Sequence, residues 1–460
     1  MTHTGDGEAR WILKGGQAVT PDAVLQTDVV LEKGAVRLGA AAPPAGADAA
    51  DHVVDVSGKY ILPGFVDIHF HGYRLFDFTV GMYDPKSRSF DSSADAYREG
   101  FALLEGLLPS FGVTGLFVAT FAYPIGELRR CLGRLREHMN DHPPLSGPAD
   151  APAAGTRIHG GLLEGTFLNP GMAGAQNPEH VFPPSLATFD ALEDGGSLRL
   201  VNVVPDFGEK SFQLTRRLTE RGIVVGAGHT DATARQVREA VQAGLRYVIH
   251  FTNGPTGGSY KPFEGGGAVE GILRSDELFA ELIADGYHVN PAYVRDIIAR
   301  KGAGRIIAVT DAIYASGSDL RELDIGGVKG RVSEDGRVFS VVGKKNTLFS
   351  SNLNMIQAFQ NLLNWQTVEL EGIWHRRHPA LPLEEALLRT AGMCAANPCR
   401  LAGLAEEGFG RVADGMRPDL VVLDVRGEPG SFEVEVDMTL VDGRPVYARD
   451  GEAASRRSRA

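Results

Sequence analysis

Between Gly64 and Asp311 the chain alternates short apolar runs with longer stretches whose apolar residues recur every three or four positions. The short runs are GFVDIHF, TGLFVATF, IHGGLLE, LRLVNVV, IVVGAGH, YVIHF, LFAELIADG and RIIAVTD, each of strand length. Among the longer stretches, AYREGFALLEGLLPSF, ELRRCLGRLREHM, ARQVREAVQAG and PAYVRDIIARKG carry the helical period. In ARQVREAVQAG, Val237, Ala240 and Val241 share one face while Arg and Glu occupy the other. Eight strand-like runs with helices between most of them predict an α/β fold, a parallel (β/α)8 TIM-type barrel closed on itself rather than an open sheet.

The two ends of the chain read differently. From Trp11 to Val56 the pattern is short β segments with turns, Lys33-Gly34 sitting at a hairpin, followed by the soft loop AAAPPAGADAAD. GFGRVADGMRPDLVVLDV and FEVEVDMTLVDGRPVYA return to strand character near the far end. This predicts a small β-sandwich-like domain built from both termini, residues 1–58 and 401–460, around a barrel of residues 59–400. A hairpin insert (LDIGGVKGRVSEDGRVFSV) and a helix (NLNMIQAFQNLLNW) are expected after the eighth strand. The first ten residues and the tail from Gly451 read as loose termini.

Composition narrows the range of partners. A net charge of −12 argues against nucleic acid and anionic membranes, which both need a basic face. It leaves a small anionic substrate open, since a few local cations or helix N-termini suffice for that. There is no N-terminal apolar leader and no run of the roughly 18 apolar residues that a membrane span requires. Cys131, Cys394 and Cys399 form no CxxC pair, so the expectation is buried thiols in the cytoplasm.

Candidate chemistry gathers where a barrel puts its active site, at the C-terminal ends of the strands. His69 and His71 close the first run, Glu164 the third, His229 the fifth and His250 the sixth; His288 follows the seventh and Asp311 closes the eighth. Residues i and i+2 of a strand point the same way, so both imidazoles of the HFH word face one side. One HxH is a weak signal among thirteen histidines, but this many ionisable groups at predicted strand ends are not. They offer N and O donors suited to zinc, iron(II), manganese or cobalt. His159, in the body of the third strand, is read as structural, and Asp206 as a support of the barrel mouth.

The order HxH…E…H…H…D resembles the amidohydrolase superfamily. Many members carry a carboxylated lysine at the end of strand four, whereas this chain reads LVNVVPDFG there and supplies Glu164 from strand three. That pattern is similar to the N-acetylglucosamine-6-phosphate deacetylase family, as are LPGFVDIHFHG, LLEGTFLNP, GAQNPEH, GHTDAT, ADGYHVNP, VTDA, ANPCRLAGL and GRVADGMRPDLVVLD, from about Ile12 to Asp424. The resemblance implies a metal-dependent hydrolase that cleaves an N-acetyl amide on an amino sugar. N-acetylglucosamine 6-phosphate is the first choice of substrate, and an unphosphorylated or natural-product amino sugar is the alternative.

On that resemblance, Glu164, His229 and His250 form the core ligand set of one divalent ion. His69 and His71 serve a second, with Glu164 bridging, so one or two ions are expected per chain. Zinc comes first among the possible metals. Asp311 is the general base and then acid, with ligation of the second ion a compatible role. His288, Asn253, Gly254, Gln176 and Lys261 are the candidate substrate-binding residues. A homodimer is expected, with Lys261 lent to the neighbouring pocket. The chain departs from the family at several points. Thr166 stands for proline, Asn253-Gly254-Pro255 for Asn-Ala-Met, and Gln176 and Asn290 for histidines, while PTGGSYKPFEGGG has no arginine for a substrate phosphate.

Overall fold

The computed structural model describes residues 10–39, 51–143, 155–192, 195–254 and 265–449. All eight expected runs form strands: Phe65–Phe70, Val113–Thr120, Arg157–Phe167, Leu198–Val203, Val224–Ala227, Leu245–Val248, Phe279–Ile283 and Ile306–Val309. Each pairs in parallel with the next. The first and last meet at their C-terminal ends, where the Asp311 N–H donates to the His69 carbonyl (2.9 Å) and the His71 N–H to that of Ala312 (2.8 Å). The sheet is therefore a barrel. Four of the eight strands are buried at every residue, as expected of strands covered by helices outside and side chains inside.

Helices Ala94–Leu107, Ile125–Asp141, Ala234–Ala243 and Pro291–Lys301 lie where the helical period put them. Thr233 and Gln236 form a capping box at the third of these. Asn290 caps the fourth, its Oδ1 accepting from the Ala292 N–H at 2.9 Å, with Pro291 at the first helical position. The departure at Asn290 thus has a structural use.

Two further sheets form the small domain. One orders 444–448, 433–441, 420–426, 60–63, 17–19 and 24–26; the other orders 35–38, 29–32, 11–14 and 52–55. Leu13, Val29 and Val36 from the second sheet share a core with Ile61, Leu420 and Leu440 from the first. Strand Tyr60–Pro63 lies between both ends of the chain, pairing with Gln17–Ala18 on one side and Leu420–Leu423 on the other. Lys33 and Gly34 make the expected hairpin turn with φ of 49° and 70°, the primed geometry that matches strand twist.

The insert after the barrel is larger than a hairpin. Glu322–Ile325, Val328–Val332, Val338–Val341 and Leu348–Ser351 form a four-stranded antiparallel sheet. The last strand follows the polar stretch GKKN and is short, so its alternation is hard to see in sequence. Helix Met355–Gln366 follows it.

A candidate metal centre at the barrel mouth

The barrel brings His69, His71, Glu164, His229, His250 and Asp311 together at one end, every one of them buried. Glu164 is the hub. Its Oε1 lies 3.1 Å from His229 Nε2 and 2.9 Å from His250 Nε2. Its Oε2 faces His71 Nε2 at 3.6 Å. His71 Nε2 also sits 3.2 Å from His69 Nε2 and 3.3 Å from Asp311 Oδ1. All four imidazoles therefore turn Nε2 inward; His69, Glu164 and His250 form one candidate ligand group and His69, His71 and Asp311 another, with His69 common to both.

Backbone geometry aims these side chains. His229, His250 and Asp311 have φ of 58°, 27° and 50°, left-handed values that cost side-chain-bearing residues about 1–3 kcal/mol each. Asn202, on the fourth strand, ties neighbouring strand ends: its Oδ1 accepts from the Gly228 N–H (2.8 Å) and its Nδ2 donates to the Glu164 carbonyl (3.0 Å). Asp67 accepts from the Thr310 hydroxyl at 2.6 Å, bracing the first strand against the eighth. Asp206 accepts from Asn169 Nδ2, the Thr230 hydroxyl and the Asp231 N–H, which fits the mouth-supporting role read from sequence. His159 packs against Phe117 and Phe409, and burial holds its imidazole down at about 3, so it stays neutral.

The electrostatics are unusual. Burial would raise the Glu164 carboxyl, but hydrogen bonds from His229 and His250 hold it well below its ordinary range. Asp311 is lowered in the same way, burial being outweighed by His71 and His69. For His69, burial pulls down while Glu281, Asp311 and Glu164 pull up, leaving it at about 10. Burial lowers His250. Carboxylates thus crowd around imidazoles in a dry site, and several buried atoms have no hydrogen-bond partner: His71 Nδ1, His250 Nδ1 and Glu281 Oε1. A divalent cation fits this donor set in number, type and convergence.

The other expected site residues are distributed around this hub. Gln176 is buried, its Oε1 accepting from the Ala122 N–H and its Nε2 donating to Glu164 Oε2. His288 Nδ1 pairs with Asp285 Oδ2 at 2.6 Å, and Asn253 Nδ2 donates to the His288 carbonyl at 2.9 Å. Gly254 packs on the His250 ring so closely that a Cβ there would come 2.7 Å from Nδ1. Lys261 lies outside the described residues. Sequence reasoning missed Glu281, Asp285 and Asn202. For Glu281 a signal existed: it shares strand parity with Phe279 and Ile283, as a lone carboxylate inside an apolar run.

Comparison with known proteins agrees with this geometry. The chain is 30% identical over 319 residues to N-acetylglucosamine-6-phosphate deacetylase of Lysinibacillus sphaericus, covering 68% of this chain and 73% of that protein. The chain belongs to the N-acetylglucosamine-6-phosphate deacetylase family. The human deacetylase is 29% identical over 415 residues, with 87% of each chain covered. Among solved structures, that of the Mycobacterium smegmatis deacetylase in complex with N-acetyl-D-glucosamine-6-phosphate superposes with a TM-score of 0.76 at 25% identity, covering 96% of this chain and 100% of that one. The Thermotoga maritima deacetylase, at 24% identity and a TM-score of 0.73, shares the fold. No protein-family model matches. The buried donor groups at the mouth are of the kinds that hold a divalent ion.

Proposed function

We propose that this chain hydrolyses the N-acetyl amide of N-acetylglucosamine 6-phosphate, giving the free amine and acetate, with two divalent ions held at the barrel mouth. The observation that carries the reading is the convergence of four imidazole Nε2 atoms on Glu164 beside Asp311. In this reading Glu164, His229 and His250 hold one ion; His69, His71 and Asp311 hold the second, with Glu164 shared. Zinc is the ion proposed, and iron(II), manganese and cobalt suit the same donors. Such ions polarise a carbonyl and lower the pKa of water toward about 7.

The protein's own groups do the rest. Asp311 is held deprotonated by its imidazole neighbours, so its carboxylate accepts a proton from the attacking water and returns it to the departing amine nitrogen. Gln176 steadies Glu164 and borders the substrate. His288, fixed by Asp285 at Nδ1, keeps Nε2 for a substrate oxygen, and Asn253 holds the His288 main chain. Gly254, having no Cβ, lets its own main chain pack against the His250 ring.

A second reading keeps the chemistry and changes the substrate to an unphosphorylated or natural-product amino sugar. The lack of an arginine in PTGGSYKPFEGGG favours it, because arginine forks bind phosphate better than a lone lysine. A homodimer in which Lys261 reaches the neighbouring pocket belongs to the first reading, as does a cytoplasmic location, which the free buried cysteines favour. The deciding experiment measures metal content and then acetate release from N-acetylglucosamine with and without the 6-phosphate. Full metal loading with no release from either sugar would reject the first reading and leave only a natural-product amino sugar within the second.

A further inference from the structure

Glu281 stands in the middle of the seventh barrel strand with no exposure at all. An isolated carboxylate there is costly, and it persists in proteins only when paired or hydrogen-bonded. Its Oε2 accepts from His69 Nδ1 at 2.9 Å and from the His250 main-chain N–H at 3.0 Å, while its Oε1 has no partner. Among the described residues, its only ion pair is with His69. One buried oxygen from the seventh strand thus reaches both the first strand and the sixth.

That contact decides how His69 presents itself. With Nδ1–H donated to Glu281, the neutral ring that a metal ligand must be carries its lone pair on Nε2, the atom turned toward His71, Glu164 and Asp311. The other histidines of the cluster are not held this way. His229 Nδ1 uses the Met172 carbonyl at 3.0 Å, and the Nδ1 atoms of His71 and His250 have no partner. A carboxylate on the far nitrogen of a ligand imidazole fixes its orientation and increases its basicity. The arrangement therefore singles out one ligand position, which the reading above gives to the ion at His69, His71 and Asp311.

We propose that Glu281 is a positioning residue for the ion held by His69, His71 and Asp311, and that it strengthens that ion selectively over the one held by Glu164, His229 and His250. The proposal rests on the two-ion reading above. Its hold on the His250 N–H fixes main chain rather than a ligand atom, and that strand end is also held by the Phe251 N–H on the Glu281 carbonyl at 2.8 Å.

The test measures ions per chain and chelator competition for wild type, E281Q and E281A, with apo-protein melting as a check on folding. Wild type should hold two ions. E281Q keeps an acceptor for His69 and removes the charge, so the ion at His69, His71 and Asp311 should lose affinity by ~10- to 100-fold. E281A should lose that ion outright, and in both variants the other ion should titrate as in wild type. Equal affinities for both ions in E281Q and wild type would overturn the proposal. So would joint loss of both ions from an apo-stable variant, which would make Glu281 a support of the whole mouth. A wild type with fewer than two ions would instead overturn the two-ion reading itself, before any variant is compared.

Discussion

Two regions of this molecule set two or more histidines against a carboxylate, and they differ in what remains unsatisfied. At the barrel mouth, four imidazoles surround Glu164 and Asp311, and buried atoms are left without partners. On helix Pro291–Lys301, Asp296 meets His375 Nδ1 at 2.9 Å and His378 Nε2 at 2.7 Å. There the carboxylate also accepts the N–H groups of Ile373, Trp374 and His375, at 2.6, 2.7 and 3.1 Å. Five donors fill its lone pairs, so the cluster is complete without a cation. The same residue types therefore make a candidate ligand set in one place and a loop anchor in the other. Convergence of several ring nitrogens on shared carboxylates, without the main-chain N–H groups that fill Asp296, separates them.

The largest effect should come from breaking the mouth. His229→Ala should abolish acetate release and lose the ion it helps to hold; full activity with full metal would remove the ligand assignment. Asp311→Asn should lower kcat by about 10²- to 10⁴-fold while leaving the ion at Glu164, His229 and His250 in place. Turnover at the wild-type rate would exclude Asp311 as the proton carrier. Lys261→Ala sharpens the question of what the mouth binds. It should cut kcat/KM on the phosphorylated sugar by about 10- to 100-fold and spare the free sugar. Equal losses on both sugars would assign Lys261 to structure instead.

The anchor cluster should respond in a different quantity. Asp296→Asn should leave metal content and kcat unchanged and lower the melting temperature by about 2–4 °C. A lost ion would mean that this cluster also binds metal. Burial would raise the Asp296 carboxyl, but the N–H groups of Trp374 and its neighbours and the two histidines hold it at about 2, against an ordinary 3.8. Its folded value is depressed, so its contribution is full above about pH 4 and fades as pH falls through about 2. The melting gap between wild type and variant should close over that window in an acid series.

Much of the fold was legible because barrel strands buried on both sides write themselves as apolar runs, and the ligand residues interrupt those runs at their ends. His69 and His71 were visible as a period-two pair, and Glu164, His229, His250 and Asp311 as polar punctuation after apolar residues. The supports were not legible in the same way. Glu281 sits inside a run, where a single charge reads as noise until the partner strand is known. Asn202 acts through main-chain groups of two other strands, a relation no local spacing encodes. The Asp296 cluster joins residues some eighty positions apart, in a stretch that reads as ordinary charged surface. Gln176 was picked out by its place in a family word, and its contacts with Ala122 and Glu164 are knowable only from the packed barrel.

Strand Tyr60–Pro63 has a consequence for how the molecule is made. It enters the barrel directly through Phe65, yet its partner Leu420–Leu423 is synthesised hundreds of residues later. During translation its edge stays unpaired while the whole barrel emerges, and contacts this distant in sequence are slow to form. An unpaired apolar edge is a template for pairing with other chains. A nascent or truncated chain lacking residues 420–441 would carry a complete set of metal ligands beside an open seam. Covering that edge falls to a stretch that supplies none of the candidate site residues.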